Sequence, residues 1–197
     1  GETGYTVQEV IEDVLSKIFK KKMSSYGCGR TDAGVHASQY VLQIELDDAP
    51  SFDLKYRLNK NLPSGIAVFE IIEVEPDQHC RHNATARTYD YFLHWEKNPG
   101  LQRFSSFYDG IVLDFDKMKE ATELIAKTQD FKSLCKQPDL YQHTFCEIMN
   151  CELFVNQEQG RWRFTITANR FLRGMVRYCV FFLLEVGTGN LSLEEFS

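Results

Sequence analysis

No stretch of this chain holds enough consecutive apolar residues to make a wholly buried element. The longest unbroken run of aliphatic and phenylalanine residues, 180–184, is five residues. Apolar side chains recur instead with two periods that alternate along the chain. Val7, Val10, Ile11, Val14, Leu15, Ile18 and Phe19 repeat at helical spacing behind Thr6, a good N-cap residue. The lysines at 20–22 close that helix with charge that suits its C-terminus. A strand is expected over 40–46, a short helix over 52–61 stopped by Pro63 and Gly65, and strands over 66–74 and 87–95. Asp114 can cap a helix through Met118, Ala121, Leu124 and Ile125, and 147–155 with 161–168 reads as a hairpin. A last helix is expected from about 171 to 186, with Gly187 and Gly189 as stop signals. Strands and helices on short links, without βαβ regularity, imply an α+β fold on antiparallel sheet.

At 197 residues the chain can bury one large core or form two lobes. Its 22 basic against 28 acidic residues give a net charge of −6. A polyanionic partner would thus have to meet a local basic patch in an acidic body. The six cysteines form no C-x-x-C pair and no regular framework, which suggests buried free thiols in a reducing cytoplasm. His79-Cys80-Arg81-His82 offers metal-ligand side chains, but adjacent residues rarely converge on one ion without a second spaced pair, so no metal is expected. No run is long enough to span a bilayer, and no membrane association is expected.

The segment from Gly29 to Ala37 reads Gly-Arg-Thr-Asp-Ala-Gly-Val-His-Ala. It sets one carboxylate, Asp32, between a cation, Arg30, and glycines that let the backbone turn and a ligand approach. Such a string can be a plain polar turn. Further on, Arg170, Arg173 and Arg177 are spaced i, i+3, i+7 and should share one face of the last helix. Leu172, Met175, Val176, Cys179 and Val180 should form its core-facing stripe. Two of these arginines would sit at the helix N-terminus, where the dipole disfavours cations, so an anion should compensate them. Ala84 to Tyr91 places Tyr89 and Tyr91 on alternate positions of a strand, facing one side.

Three blocks in this order resemble the tRNA pseudouridine synthase A (TruA) family: Gly29 to Ala37, Ala84 to Tyr91, and Asn169-Arg170-Phe171-Leu172 with Met175-Val176-Arg177. The likeness runs from Thr6-Val7-Gln8 to Val186-Gly187. It implies two ferredoxin-like lobes, 1–80 and 81–197, sharing a mainly antiparallel central sheet with the active-site cleft between them. Family members begin with a strand before the Val7-Gln8 helix and continue with a helix and strand beyond Phe196, so the chain is expected to be incomplete at both termini. The implied activity is isomerisation of uridine to pseudouridine in the anticodon stem-loop of tRNA, at the family's uridines 38, 39 and 40. A cytoplasmic homodimer that uses no cofactor and no metal is also implied.

By the same resemblance Asp32 is the nucleophile, Arg177 its ion-pair partner, and Tyr89 the residue that stacks on the target uracil and assists proton transfer. Arg30 would fill the space left by the flipped base, while Tyr91 would be structural. Gln78, His79, Cys80, Arg81 and His82 align with a segment that touches tRNA, as do Arg170 and Arg173. His143 aligns more loosely, standing where the family usually has arginine. A guanidinium beside a carboxylate favours its charged, nucleophilic form. Two rivals are a non-catalytic RNA-binding α+β domain and an aspartate-dependent nucleoside or glycoside hydrolase. The first has no need of Asp32, and the second typically needs a second carboxylate.

Overall fold

The structure is a computed structural model that describes residues 6–110 and 112–196. It is an α+β chain that divides into two compact units, one ending at Ala84 and the other beginning at Thr85.

In the first unit, helix α1 (Val7–Phe19) starts where the sequence places it. Thr6 and Glu9 form a reciprocal capping box: the Glu9 amide donates to Thr6 Oγ1 at 3.1 Å and the Thr6 amide to the Glu9 carboxylate at 2.7 Å. The helix ends at Lys20 in the left-handed conformation, φ 53°. Strands β1 (Ser25–Gly27) and β2 (Leu42–Ile44) pair antiparallel. Glu12 of α1 fixes β1 by accepting from both the amide and the hydroxyl of Ser25, at 2.8 and 2.7 Å. Helix α2 (Leu54–Asn61), capped by Asp53, completes a small core with α1 through Val14, Leu15, Leu54 and Leu58.

The strand expected over 66–74 does not form. Residues 66–74 pair with no strand among the described residues, and Phe69 and Ile72 are 72% and 71% exposed. Sequence alternation cannot make a ladder without a neighbouring strand to share its hydrogen bonds. Here the side-chain amide of Asn59 bonds both the N–H and the C=O of Val68, each at 2.8 Å.

The second unit is built on β3 (Arg87–His94), β4 (Ser106–Phe107), β5 (Ile148–Asn156) and β6 (Arg161–Ala168), in sheet order β4-β3-β6-β5. β3–β6 and β5–β6 are antiparallel, and the short β4 lies parallel to β3. Helices α3 (Phe115–Lys127) and α4 (Met175–Thr188) supply the other half of the core, with a short α5 (Leu193–Phe196) following. Leu93, Trp162, Phe164 and Ile166 from the sheet and Met118, Ile125, Met175, Cys179 and Leu183 from the helices are all buried in one cluster.

The last helix starts later than its apolar spacing suggests. Gly174, at φ 78°, turns the chain into α4, so 170–173 is an irregular approach and of the three arginines only Arg177 is helical. The shared helical face of Arg170, Arg173 and Arg177 does not exist, and the dipole argument for a compensating anion falls with it. Leu172, Met175, Cys179 and Val180 are nevertheless buried as expected, while Val176 is half-buried. Gly187 is not a stop signal but a residue inside α4, and Gly189, at φ 79°, is the C-cap. A Cβ at Gly187 would lie 2.6 Å from Met118 Sδ and 3.0 Å from Leu113 Cδ2, so α4 crosses α3 closely because this residue has no side chain. Gly187→Val should therefore lower stability by about 1–3 kcal/mol, the usual cost of overpacking a core. A thermal melt with an unchanged midpoint would refute the close-crossing account.

Candidate active site

The motif loop leaves β1 and returns to β2 as one exposed excursion, with every residue from 30 to 41 exposed. Its base is closed by backbone and by one side chain. The Cys28 amide donates to Val41 O at 3.0 Å, which extends the β1–β2 pairing by one step. The Tyr40 hydroxyl then donates to Gly29 O and accepts from the Gly29 amide at 3.4 Å. Tyr40 lies so close over the strand that a Cβ on Gly27 would collide with its hydroxyl. Burial pushes that hydroxyl above its ordinary range, which keeps it protonated and able to donate. Within the loop the Val35 amide donates to Asp32 O at 3.3 Å and Gly34 takes φ 80°, a turn that glycine accommodates without strain. Asp32 and Arg30 are thus displayed at the solvent-facing end of a closed loop.

Residues 78–83 are tied to the same ribbon. Gln43 of β2 donates to Gln78 O at 3.0 Å and accepts from the Cys80 amide at 2.8 Å. Cys80 Sγ donates to Tyr26 O at 3.1 Å, and the Tyr26 and His79 rings lie 5.6 Å apart. His79 and His82 pack at 4.6 Å, and the His79 ring nitrogen accepts from the Arg81 amide at 3.1 Å. Gln78, His79, Cys80, Arg81 and His82 therefore share one unit, and one pair of strands, with the Asp32 loop. No group of three or more histidine, cysteine or acidic side chains able to hold a metal ion occurs among the described residues.

In the second unit Tyr89 and Tyr91 point to the same side of β3, as their spacing requires. Tyr89 is half-buried and meets Phe171 edge-on, with centroids 4.9 Å apart and an interplanar angle of 86°. Tyr91 is anchored elsewhere, its hydroxyl 2.9 Å from that of Ser106. Arg177 lies exposed in the first turn of α4.

The segment before α4 folds onto 136–143. The Lys136 amide donates to Arg173 O at 2.8 Å, the Arg173 amide to the Tyr141 hydroxyl at 3.0 Å, and the Arg173 guanidinium to Gln137 at 2.6 Å. Arg170 lies over the Tyr141 ring at 5.7 Å and is 3.4 Å from His143 Nε2. Arg170, Arg173 and His143 are thus assembled by tertiary contacts rather than by helical periodicity.

The thiols are only partly as expected. Cys135, Cys146 and Cys179 are buried, whereas Cys28, Cys80 and Cys151 are half-buried. Burial pushes the Cys151 and Cys179 thiols up to about 12, which removes them as nucleophiles at neutral pH.

Two contributors escaped the sequence reading. Tyr40 reads as an ordinary strand aromatic, and the one hint of its clasp is the pair Gly27 and Gly29, which leaves room over the backbone. Phe171 sits inside a recognised block, yet nothing in its spacing says that it backs Tyr89. Tyr40→Phe should leave the fold intact and loosen the loop, since the lost bond contributes about 0.5–1.5 kcal/mol. Faster proteolysis within 29–40 at an unchanged melting temperature is the expected result. Identical cleavage of both proteins would remove Tyr40 as the clasp.

Comparison with known proteins places this geometry in a family. A family model described as tRNA pseudouridine synthase matches residues 127–197. The tRNA pseudouridine synthase A of Bacteroides fragilis is 40% identical, the match covering 98% of this chain and 77% of that protein. That of Porphyromonas gingivalis is 38% identical over 97% of this chain and 77% of its own length. A more distant relative of the same name from Staphylococcus aureus is 31% identical over 98% of this chain and 74% of its own length. Identity at this level along nearly all of the chain means that it belongs to the tRNA pseudouridine synthase A family.

Proposed function

We infer that this protein is an isomerase that converts uridine to pseudouridine in tRNA. The observation that carries the reading is the Gly29 to Ala37 loop: a carboxylate flanked by arginine and glycine, exposed, and held at its base by Tyr40 in a member of this family. The reaction breaks the N1–C1′ bond, turns the uracil and joins C5 to C1′, with a proton lost from C5 and one gained at N1. Nothing is oxidised and no group leaves, so a nucleophile, a surface for the detached base and a proton acceptor are enough.

In this reading Asp32 is the nucleophile and Arg177 the cation that pairs with it. Tyr89, steadied by Phe171, stacks on the extruded uracil and takes part in proton transfer. Flipping the base out of the stack costs a few kcal/mol, and Arg30 offsets part of that by occupying the space the base leaves. Gln78, His79, Cys80, Arg81 and His82 contact tRNA from the first unit, and Arg170, Arg173 and His143 from the second. The substrate uridines are 38, 39 and 40 of the anticodon stem-loop. Each of the two units is a ferredoxin-like lobe in this reading. The working form is a cytoplasmic homodimer that grips one tRNA across both subunits, which lets an acidic protein present a basic groove.

Asp32→Asn should abolish pseudouridine formation on unmodified tRNA while leaving tRNA affinity near that of the parent, because it removes the nucleophile and lessens repulsion of phosphate. Turnover by the Asn variant near the parent rate takes Asp32 out of the mechanism. Affinity for tRNA should also fall steeply with salt, as each neutralised phosphate releases counterions. Arg173→Ala should reduce that slope by about one, whereas Arg30→Ala should cost rate more than affinity. Salt-independent binding would rule out polyanion recognition.

A further inference from the structure

One cleft of the second unit shares only His143 with the roles above. It lies where the C-terminal end of α3 meets the entry to β5 and the exit of β6, has a volume of about 450 Å³, and is lined by Lys127, His143, Phe145, Glu147 and Asn169 among others. That volume falls within the roughly 300–1,000 Å³ of small-ligand sites. Phe145 is the unusual member. It is 56% exposed, although Thr144 and Cys146 on either side are only 8% and 4% exposed. Its backbone is held from both sides: the Phe131 amide donates to Thr144 O at 3.0 Å and the Cys146 amide to Gln129 O at 2.9 Å, with Asp130 and Phe145 forming an antiparallel bridge. The ring is therefore presented to solvent by a fixed backbone, not left there by a loose loop.

The neighbours of the ring are those that recognise unpaired bases. His143 packs beside it at 6.0 Å and 31°. Arg170 reaches His143 Nε2 at 3.4 Å. Imidazole and phenyl rings side by side, with a guanidinium next to the imidazole, form a surface on which nucleic-acid bases stack. Lys127 and Arg170 supply positive charge for a phosphate. Glu147, the one carboxylate of the lining, repels phosphate but accepts from an exocyclic amino group.

We propose that this cleft binds one unpaired nucleotide of the tRNA outside the reacting uridine, with its base stacked on Phe145 and its phosphate near Lys127 and Arg170. The inference rests on tRNA being the substrate and adds a subsite to that reading. Glu147 favours a base that carries an amino group over uracil.

The test is binding of this chain to two RNA probes, an anticodon-arm hairpin with its unpaired loop and a blunt duplex of the stem alone. Phe145→Ala should weaken hairpin binding roughly tenfold, the effect of losing one base–aromatic stack, and leave duplex binding unchanged. Phe145→Tyr should restore the parent affinity. On whole tRNA the Ala variant should raise KM with little change in kcat, at an unchanged melting temperature. Equal hairpin affinity for parent and Ala variant overturns the subsite, as does equal weakening on both probes. A parent that forms no pseudouridine while Phe145→Ala still weakens the hairpin leaves the subsite standing and refutes the activity. An active parent with an indifferent Ala variant does the reverse.

Discussion

The burial of one face of the β3-β6-β5 ladder beneath α3 and α4 is the constraint on which the second unit depends. Leu93, Phe164, Ile166, Met118, Ala121, Met175, Leu183 and Val186 are completely excluded from solvent there. Excluding that much apolar surface is the dominant favourable term in folding such a unit. It also fixes side chains that are not part of the core. With Leu93 inward, Tyr89 and Tyr91 must face the same side of β3, and with Met175 and Cys179 inward, Arg177 must be exposed. The orientation of these candidate residues is thus a by-product of core packing.

The first unit has a smaller core and relies more on specific polar bonds. Glu12 and Gln8 tie α1 to Ser25, Gln43 ties β2 to residues 78–80, and Tyr40 ties the two ends of the motif loop. Such bonds contribute only about 0.5–1.5 kcal/mol each, but they determine position where apolar packing is sparse. An exposed loop closed at its base can hold a carboxylate in reach of a large substrate without burying it.

Long periodic segments were legible in the sequence, and pairing partners were not. The Thr6 and Asp114 caps, the 148–168 hairpin and helices α1 and α3 follow from local rules, and the structure keeps them. The failures concern tertiary context. Residues 66–74 alternate like a strand but lack a ladder, and the 170–173 arginines keep helical spacing outside any helix because Gly174 turns the chain first. The candidate site was legible where a short motif gathers polar residues, as in the loop around Asp32. It was illegible where a candidate residue is held by a ring supplied from elsewhere, as by Tyr40 and Phe171, because single-residue spacing carries no record of long-range contact.

The turn at Gly174 divides the basic residues near α4 into two mechanical classes. Arg177 rides on a helix whose register is set by the core, so it cannot shift without disturbing Met175 and Cys179. Arg170 and Arg173 lie on a strap outside the helix, held by the Lys136 amide's bond to Arg173 O and by contacts with Tyr141, His143 and Gln137. Substitutions in the strap and its anchors can therefore reposition Arg170 and Arg173 without moving the helix. A protein arranged this way can re-aim two of its cations by changing a few surface side chains, while the third stays tied to the core.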